Sequence, residues 1–563
     1  MYSSKKNILQ LVALLKAFRI EHIVACPGSR NAPIVHSIAN DPFFTCHSVV
    51  DERSAGFYAI GITQCQNNPV AVCCTSGTAV LNLAPAVAEA YYQKLPLIII
   101  SADRPESWIG QADQTIPQPD VFRSLVRKSV QLPEVYTDED EWYCNRLINE
   151  ALLKAIYPDF CPVHINVPLS EPLFEFAEAQ LPEVRKIEFQ SVSLVFDKNT
   201  MLSGYTDRFR QYEKRMIVVG QQHTPNMALG KRIEELIKKR ECVVLAEYLS
   251  NMEPKDYISN FDTLLYATPK ERWGEYAPEV LITIGGQIVS KRIKELLRKH
   301  PPKEHWHISL PGEVVDTYQC LTNVIEANEI DFISHLEEQK RLENYNRKSE
   351  KYIRLWEDTS GKTPYPQVGF SDLYVVNEFT KVIPDLSDLH LANSSSIRLV
   401  QLCPLKDKYV YIQCNRGTSG IDGSLSTAVG YAATKTYHTA VFLIIGDLAF
   451  FYDMNALWNK QINNNLRILL NNNGGGEIFY TLPILNQSEA LQEYISASHN
   501  KNAKGWAESM GFTYLPVSSE EELHQHLPTF VNVSDKPILM EVFTSKEENA
   551  RILQEYYQSI KME

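Results

Sequence analysis

Ten short apolar runs recur along the chain, HIVAC, PVAVCC, PLIIIS, MIVVG, CVVLAEY, VLITIGG, LHLA, YVYIQC, VFLIIG and LRILL, and stretches with helical spacing of apolar residues separate them. Runs of this length are short for buried helices, and they lack the alternation of a strand with one wet face. They read as strands covered on both sides. A parallel sheet flanked by crossover helices covers its strands in this way. The fold class is therefore α/β, with doubly wound parallel sheets.

The chain also resembles itself. With a constant shift of 369 residues, 59–97 can be laid on 428–466 without a gap, so that Ala59, Gly61, Ala71, Val72, Gly77 and Leu97 fall on Ala428, Gly430, Ala440, Val441, Gly446 and Leu466. Both copies read as a helix ending at a glycine, a buried strand, a glycine turn, a helix and another buried strand. Two similar α/β domains are expected at the two ends. Between them, MIVVGQQ through HWHISL forms a third α/β unit, bracketed by Pro- and acid-rich stretches near 170–200 and by a charged stretch near 327–357 that reads as a solvated helix and linker. A chain of 563 residues is too long for one core, and the expected domains are 1–190, 191–360 and 361–563.

Charge and cysteine usage exclude several functions. A net charge of −13 disfavours polyanion binding by bulk electrostatics, so nucleic acid is not an expected partner and an anionic ligand needs a local arginine cluster. The 11 cysteines form no CxxC pair, and Cys73-Cys74 lie inside an apolar run, which fits a reducing cytosol. The N-terminal stretch has the spacing of an amphipathic helix without a small-residue cleavage site, and no apolar run is long enough to span a bilayer. The expectation is a soluble, cytoplasmic protein with no membrane insertion.

One stretch asks for chemistry. NNNGGG, residues 471–476, follows the run LRILL, and 25 residues upstream of Asn471 another buried run ends in Gly446-Asp447 before a helix. Ligands of parallel α/β sheets sit beyond the carboxyl ends of strands, where glycine lets backbone approach a phosphate. A carboxylate and an amide oxygen at neighbouring strand ends are hard ligands of the kind Mg²⁺ takes beside phosphate oxygens. The pair reads as half of a diphosphate-Mg²⁺ site.

This arrangement resembles the thiamine-diphosphate enzymes, whose signature is Gly-Asp-Gly at one strand end and Asn-Asn at the next, here with Leu448 in place of the second glycine. The resemblance implies thiamine diphosphate with Mg²⁺ or Mn²⁺ as cofactors, the metal held by Asp447, Asn472 and the backbone of Gly474. It implies an acid from the first domain that protonates the pyrimidine N1′ and makes the neighbouring amino group the base for the thiazolium C2 proton. Glu52 in VVDERSAGFYAIG occupies that place, and its pKa is expected to be raised. Gly446, Leu448 and Ile478 would also touch the cofactor, with Ile421 wedging it into a V shape. The acid and the diphosphate site of this family come from different subunits, which implies a homodimer or a homotetramer built from dimers.

CPGSRNAPI, DERSAGFYAIG, TSGTAVLNLAPAVAEAYY, PLIIISADRP, NRGTSGIDGSLSTAVG and GDLAFFYDMNAL are similar to one branch of the family in particular. That branch decarboxylates 2-oxoglutarate and adds the succinyl unit to isochorismate on the way to menaquinone. Both substrates are dicarboxylates, which guanidinium groups bind bidentately. The resemblance implies a substrate pocket of Ser29, Arg30, Arg104, Gln114, Lys291, Arg292, Ser394, Arg398 and Phe479, with Gln114 and Arg398 also catalytic and Arg416 structural or near the cofactor. Three departures stand out: Asp113 where Asn is usual beside the glutamine, Cys26 where Ser is usual, and one residue more than usual between the glycines and Ile478-Phe479. Two other readings stay open, an acetolactate synthase-like carboligase and a non-catalytic cofactor-binding protein. LITIGGQIVSKR shows no clear adenine-dinucleotide fingerprint for the first, and joint retention of Glu52, Asp447 and Asn472 argues against the second.

Overall fold

The computed structural model describes residues 1–111, 114–189, 198–253, 256–338, 347–405, 407–435, 439–481 and 485–562. The first sheet contains β1 (His22–Ala25), β2 (Thr45–Ser48), β3 (Val70–Cys74), β4 (Leu97–Asp103), β5 (Lys128–Gln131) and β6 (Val163–Pro168), in the order β2-β1-β3-β4-β6-β5. The middle sheet contains β7 (Arg215–Val219), β8 (Val243–Ala246), β9 (Val280–Ile284), β10 (Glu304–Ile308) and β11 (Asn323–Ile325), in the order β11-β10-β9-β7-β8. The third contains β12 (Ser387–Leu391), β13 (Val410–Cys414), β14 (Val441–Gly446), β15 (Leu466–Asn472), β16 (Thr513–Val517) and β17 (Ile538–Phe543), in the order β13-β12-β14-β15-β17-β16. Strand pairing within these sheets is parallel throughout. All ten apolar runs are strands.

The first and third sheets have the same strand order, one for one. β4 and β15 begin at Leu97 and Leu466, the residues equated by the internal repeat. One expectation needs correction. Gly61 and Gly430 do not end their helices; they lie inside Glu52–Gln66 and Ser424–Thr434. They are there because the two helices cross backbone against backbone. A Cβ on Gly61 would stand 2.0 Å from the Thr427 carbonyl oxygen, and one on Gly430 would stand 2.0 Å from that of Tyr58. Tyr58 and Thr427 are themselves equivalent under the repeat, so the two copies face each other across a pseudo-twofold axis. One apolar core runs through both, joining Phe57, Tyr58 and Ala59 to Leu425, Ala428 and Val429.

The charged stretch near 327–357 is a second correction. It contains the helices Glu329–Glu338 and Arg347–Gly361, and residues 339–346 lie outside the described part. Rather than being simply solvated, the helices bury Phe332, Ile333 and Leu336, and Tyr352, Ile353 and Trp356. Both sets follow the i, i+1, i+4 pattern of one helix face. The charges between them hide that pattern from a reading by composition. The boundary expected near 190 also lies outside the described residues. Among the described residues no helix is long and apolar enough to cross a membrane.

Candidate active site

The register of the third sheet brings the site together. Gly446 at the end of β14 pairs with Asn471 of β15, so Asp447 and Asn472 leave the sheet side by side. Asp447 opens the helix Asp447–Tyr452 and is buried. Its Oδ1 accepts from Leu448 N at 2.6 Å, and its Oδ2 accepts from Gly474 N at 2.8 Å and Gly475 N at 2.9 Å. That return of the chain needs φ of +82° at Gly474 and +141° at Gly475, backbone that side chains resist, and a Cβ on Gly475 would meet Ser496 O at 2.6 Å. The glycine run is thus a cradle that turns two N–H groups onto one carboxylate. Burial pushes the Asp447 carboxyl above its ordinary range, opposed by His499 and by these backbone donors.

Asn472 is held by a residue the sequence reading missed. Its Nδ2 donates to Glu541 Oε1 at 2.6 Å and to Lys501 O at 2.8 Å, which uses both amide hydrogens and turns Oδ1 the other way. Glu541, on β17 and fully buried, also accepts from Ala503 N and the Tyr514 hydroxyl. The available signal was a lone acid within ILMEVF, because a buried carboxylate in a central strand must have partners. The Gly474 carbonyl accepts from Lys546 Nζ at 2.9 Å and His499 N at 3.0 Å. Around the loop, Asn471 Oδ1, Asn473 Oδ1, Ser496 Oγ and His499 Nε2 are buried without hydrogen-bond partners. His499 Nε2 lies 3.3 Å from Asp447 Oδ2, near enough for charge attraction without a formed hydrogen bond.

Glu52 is the first residue of the helix Glu52–Gln66, but capping falls to Asp51, whose side chain accepts from Arg53 N and Ser54 N. Glu52 is therefore not needed as the cap. It is half-buried near the Cys26 and Cys74 thiols, which its charge affects. Burial raises its carboxyl, opposed by its own backbone N–H and assisted by Asp51. The residues on either side of it reach the third domain: Arg53 donates to Tyr452 O at 2.6 Å, and Asn455 Nδ2 donates to Asp51 Oδ2 at 3.0 Å.

The basic residues gather in two places. In the first domain, buried Arg30 donates to Leu169 O at 3.1 Å and pairs with Glu171 at 3.2 Å, and Arg104, just after β4, acts on it electrostatically together with Asp103. Ser29 beside Arg30 is exposed, as is Gln114, which has φ of +55° and packs its backbone against Gly77. Asp113 lies outside the described residues. Between the middle and third domains, Arg292 is ion-paired with Asp262 and lies over the rings of Tyr266, at 4.7 Å, and Tyr557, at 5.1 Å. Arg398 donates to Ser394 O at 2.7 Å and feels the charges of Arg416, Asp262 and Tyr557. Arg416 donates to Asn393 Oδ1 at 2.9 Å, and Lys291 at the start of the Arg292 helix is exposed. Ile421 is 44% exposed, and Ile478 and Phe479 are half-buried in the turn Glu477–Thr481.

Comparison with known proteins places the chain in a family. The sequence matches the N-terminal TPP binding domain of thiamine pyrophosphate enzymes over residues 9–123, their middle domain over 195–391 and their C-terminal TPP binding domain over 394–542. A 2-succinyl-5-enolpyruvyl-6-hydroxy-3-cyclohexene-1-carboxylate synthase of Bacteroides thetaiotaomicron is 52% identical over 565 residues, covering 100% of both chains. The chain belongs to the thiamine-diphosphate-dependent family of these synthases. A synthase of Bacteroides fragilis is 51% identical over 566 residues and 100% of both chains, and one of Flavobacterium psychrophilum is 37% identical over 543 residues and 96% of each chain. The enzyme thus uses thiamine diphosphate, and the strand ends of its third domain carry a glycine cradle, oxygen donors and buried polar atoms without hydrogen-bond partners.

Proposed function

We propose that this enzyme decarboxylates 2-oxoglutarate and joins the succinyl unit to isochorismate, giving 2-succinyl-5-enolpyruvyl-6-hydroxy-3-cyclohexene-1-carboxylate and CO₂ in cytoplasmic menaquinone biosynthesis. The observation that carries this reading is the 52% identity to a synthase so named along the whole chain. When bound, the cofactor supplies the electron sink that lets a 2-oxo acid lose CO₂. The chain's own residues orient the substrates, exclude water and place the protons.

Mg²⁺ or Mn²⁺ would be held by Asp447, the Asn472 amide oxygen and the Gly474 carbonyl, three hard oxygen donors. The unpartnered buried atoms around the loop support a site that receives a ligand, since such atoms otherwise find partners. The Gly474 carbonyl, which accepts from Lys546 Nζ, would be the backbone member of that donor set. Because Glu541 orients the Asn472 amide, Glu541→Gln should weaken Mg²⁺ binding by about 10- to 100-fold, the range for partners behind metal ligands. Titration calorimetry of the variant in the presence of the cofactor checks this.

Glu52 would serve as the acid that hydrogen-bonds the pyrimidine ring, and its burial keeps a proton on the carboxyl at higher pH than usual. As the family resemblance implies, the enzyme would work as a homodimer, or a tetramer of two dimers, in which one chain's acid meets its partner's metal loop. Exposed Ile421 would be covered there by the cofactor. Ser29, Arg30, Arg104 and Gln114 from one side, and Lys291, Arg292, Ser394 and Arg398 from the other, would grip the two dicarboxylates, with Ile478 and Phe479 as the apolar wall. Arg398 and Gln114 would orient the reacting groups. We place the domain boundaries near 190 and 360.

A carboligase whose middle domain holds a dinucleotide is disfavoured at the β7/β9 strand ends, where a phosphate would seek backbone N–H groups. There the Glu329 carboxylate already accepts from Gly285 N at 2.9 Å and Gln222 Nε2 at 2.9 Å. The deciding experiment supplies 2-oxoglutarate, isochorismate, thiamine diphosphate and Mg²⁺ and assays the adduct by mass. Formation of the succinyl adduct with CO₂ is expected. Preferential consumption of pyruvate would overturn the proposal in favour of the acetolactate synthase-like reading.

A further inference from the structure

The turn after the glycine cradle opens on a buried acid, Glu477. Glu477 is 5% exposed, and Asp372, which opens the helix Asp372–Val382, is 1% exposed. Among the described residues neither forms an ion pair with a Lys or Arg side chain. Both converge on the Asn473 side chain, whose Nδ2 donates to Asp372 Oδ2 at 3.0 Å and to Glu477 Oε2 at 2.9 Å. The two carboxyl groups thus share the one Asn473 amide nitrogen as donor, which brings them together in the buried turn. Burial pushes both above the ordinary carboxyl range, and for Glu477 the neighbouring Asp372 adds to the rise.

The pair is anchored from a third element. Thr544 Oγ1 donates to Asp372 Oδ1 at 2.6 Å, Asn549 Nδ2 lies 3.4 Å from Glu477 Oε2, and Asp372 N donates to Asn549 Oδ1 at 3.1 Å. Asn549 belongs to the helix Lys546–Ser559, whose Lys546 reaches the Gly474 carbonyl. Asn473 is thus tied on one side to the carboxyl pair, while its chain neighbours Asn472 and Gly474 carry the amide oxygen and the carbonyl proposed for the metal. A backbone segment with a clamped side chain between two donor residues has little freedom to misplace either.

We propose that Glu477 and Asp372 are positioning residues of the metal loop: together they grip the Asn473 amide and hold Asn472 and Gly474 in the geometry that receives the divalent ion. The inference rests on the metal reading given under Proposed function. An apolar residue at 477 would leave Asn473 with Asp372 as its one carboxyl partner.

The test is titration calorimetry of Mg²⁺ into full-length protein with thiamine diphosphate present, alongside thermal unfolding without metal. Glu477→Ala should raise the Mg²⁺ dissociation constant by about tenfold or more. Glu477→Gln should stay within about threefold of wild type, because its amide can donate to Asp372 while its oxygen accepts from Asn473. Rescue by glutamine separates positioning from mere support of the fold, which would lower the unfolding midpoint of Glu477→Ala and leave the affinity of the folded protein unchanged. If Glu477→Ala fails to fold, Glu477→Asp keeps the charge with a shorter reach and should show the same weakening. Wild-type affinity in whichever of these two variants folds, or a glutamine variant as weak as the alanine one, overturns the proposal. Failure of the wild type itself to bind Mg²⁺ would instead sink the metal reading beneath it.

Discussion

Replacing Glu52 with Gln is expected to lower turnover of 2-oxoglutarate by roughly 10²- to 10⁴-fold while leaving Mg²⁺-dependent cofactor binding within about twofold. The substitution keeps the shape and a hydrogen-bonding group and removes the transferable proton. Because Asp51 caps the helix, the fold does not depend on the Glu52 charge, so the variant isolates the proton-transfer role. Burial already disfavours the ionised carboxyl, and the neutral amide should be tolerated at no cost in stability. The loss corresponds to about 3–5 kcal/mol of barrier. Steady-state CO₂ release gives the rate, and calorimetry with thiamine diphosphate gives the affinity. A loss below about tenfold would remove Glu52 from the role of acid, since positioned proton transfer contributes more than that.

How much of this was legible in the sequence depends on where polar residues stand in strands. β3, β4, β14 and β15 are almost unbroken apolar runs up to their ends, and each was readable as a strand covered on both faces. β6 and β17 are interior strands too, yet neither was among the runs singled out, because His164 and Asn166 interrupt VHINVP and Glu541 interrupts ILMEVF. Those interruptions are where buried hydrogen bonding is concentrated. Asn166 donates to Asp103 Oδ2 at 2.9 Å beside Arg104, and Glu541 aims the Asn472 amide. A polar residue that weakens the strand pattern is tolerated inside a sheet when it has full partners, and here those partners border the candidate site. The Gly446-Asp447 and Asn471-Asn472 elements were legible because strand ends carry local signatures. The meeting of Asp372 with Glu477 was not, because 105 residues separate them and neither lies in a motif.

Gly430→Ala should destabilise the protein by about 3 kcal/mol, against the usual sign for glycine in a helix. In the middle of an exposed helix the same change stabilises by about 0.5–1 kcal/mol, because alanine restricts the unfolded chain. Here the new Cβ would lie 2.0 Å from Tyr58 O, 2.7 Å from Tyr58 C and 2.8 Å from Tyr58 Cα, and backbone held in a packed helix cannot swing aside as a side chain can. The helices would have to part, loosening the Ser54–Ser426 hydroxyl contact at 2.9 Å and the Ser426–Asp453 bonds beneath it. Gly61→Ala should cost a similar amount, because its Cβ meets Thr427 O at the equivalent place across the pseudo-twofold axis. The double variant should cost clearly less than the sum of the two, since one separation of the helices relieves both clashes. Urea unfolding midpoints of the two single variants and the double provide the comparison. Stabilisation by either alanine, or strict additivity, would mean that the two repeats do not meet through these glycines.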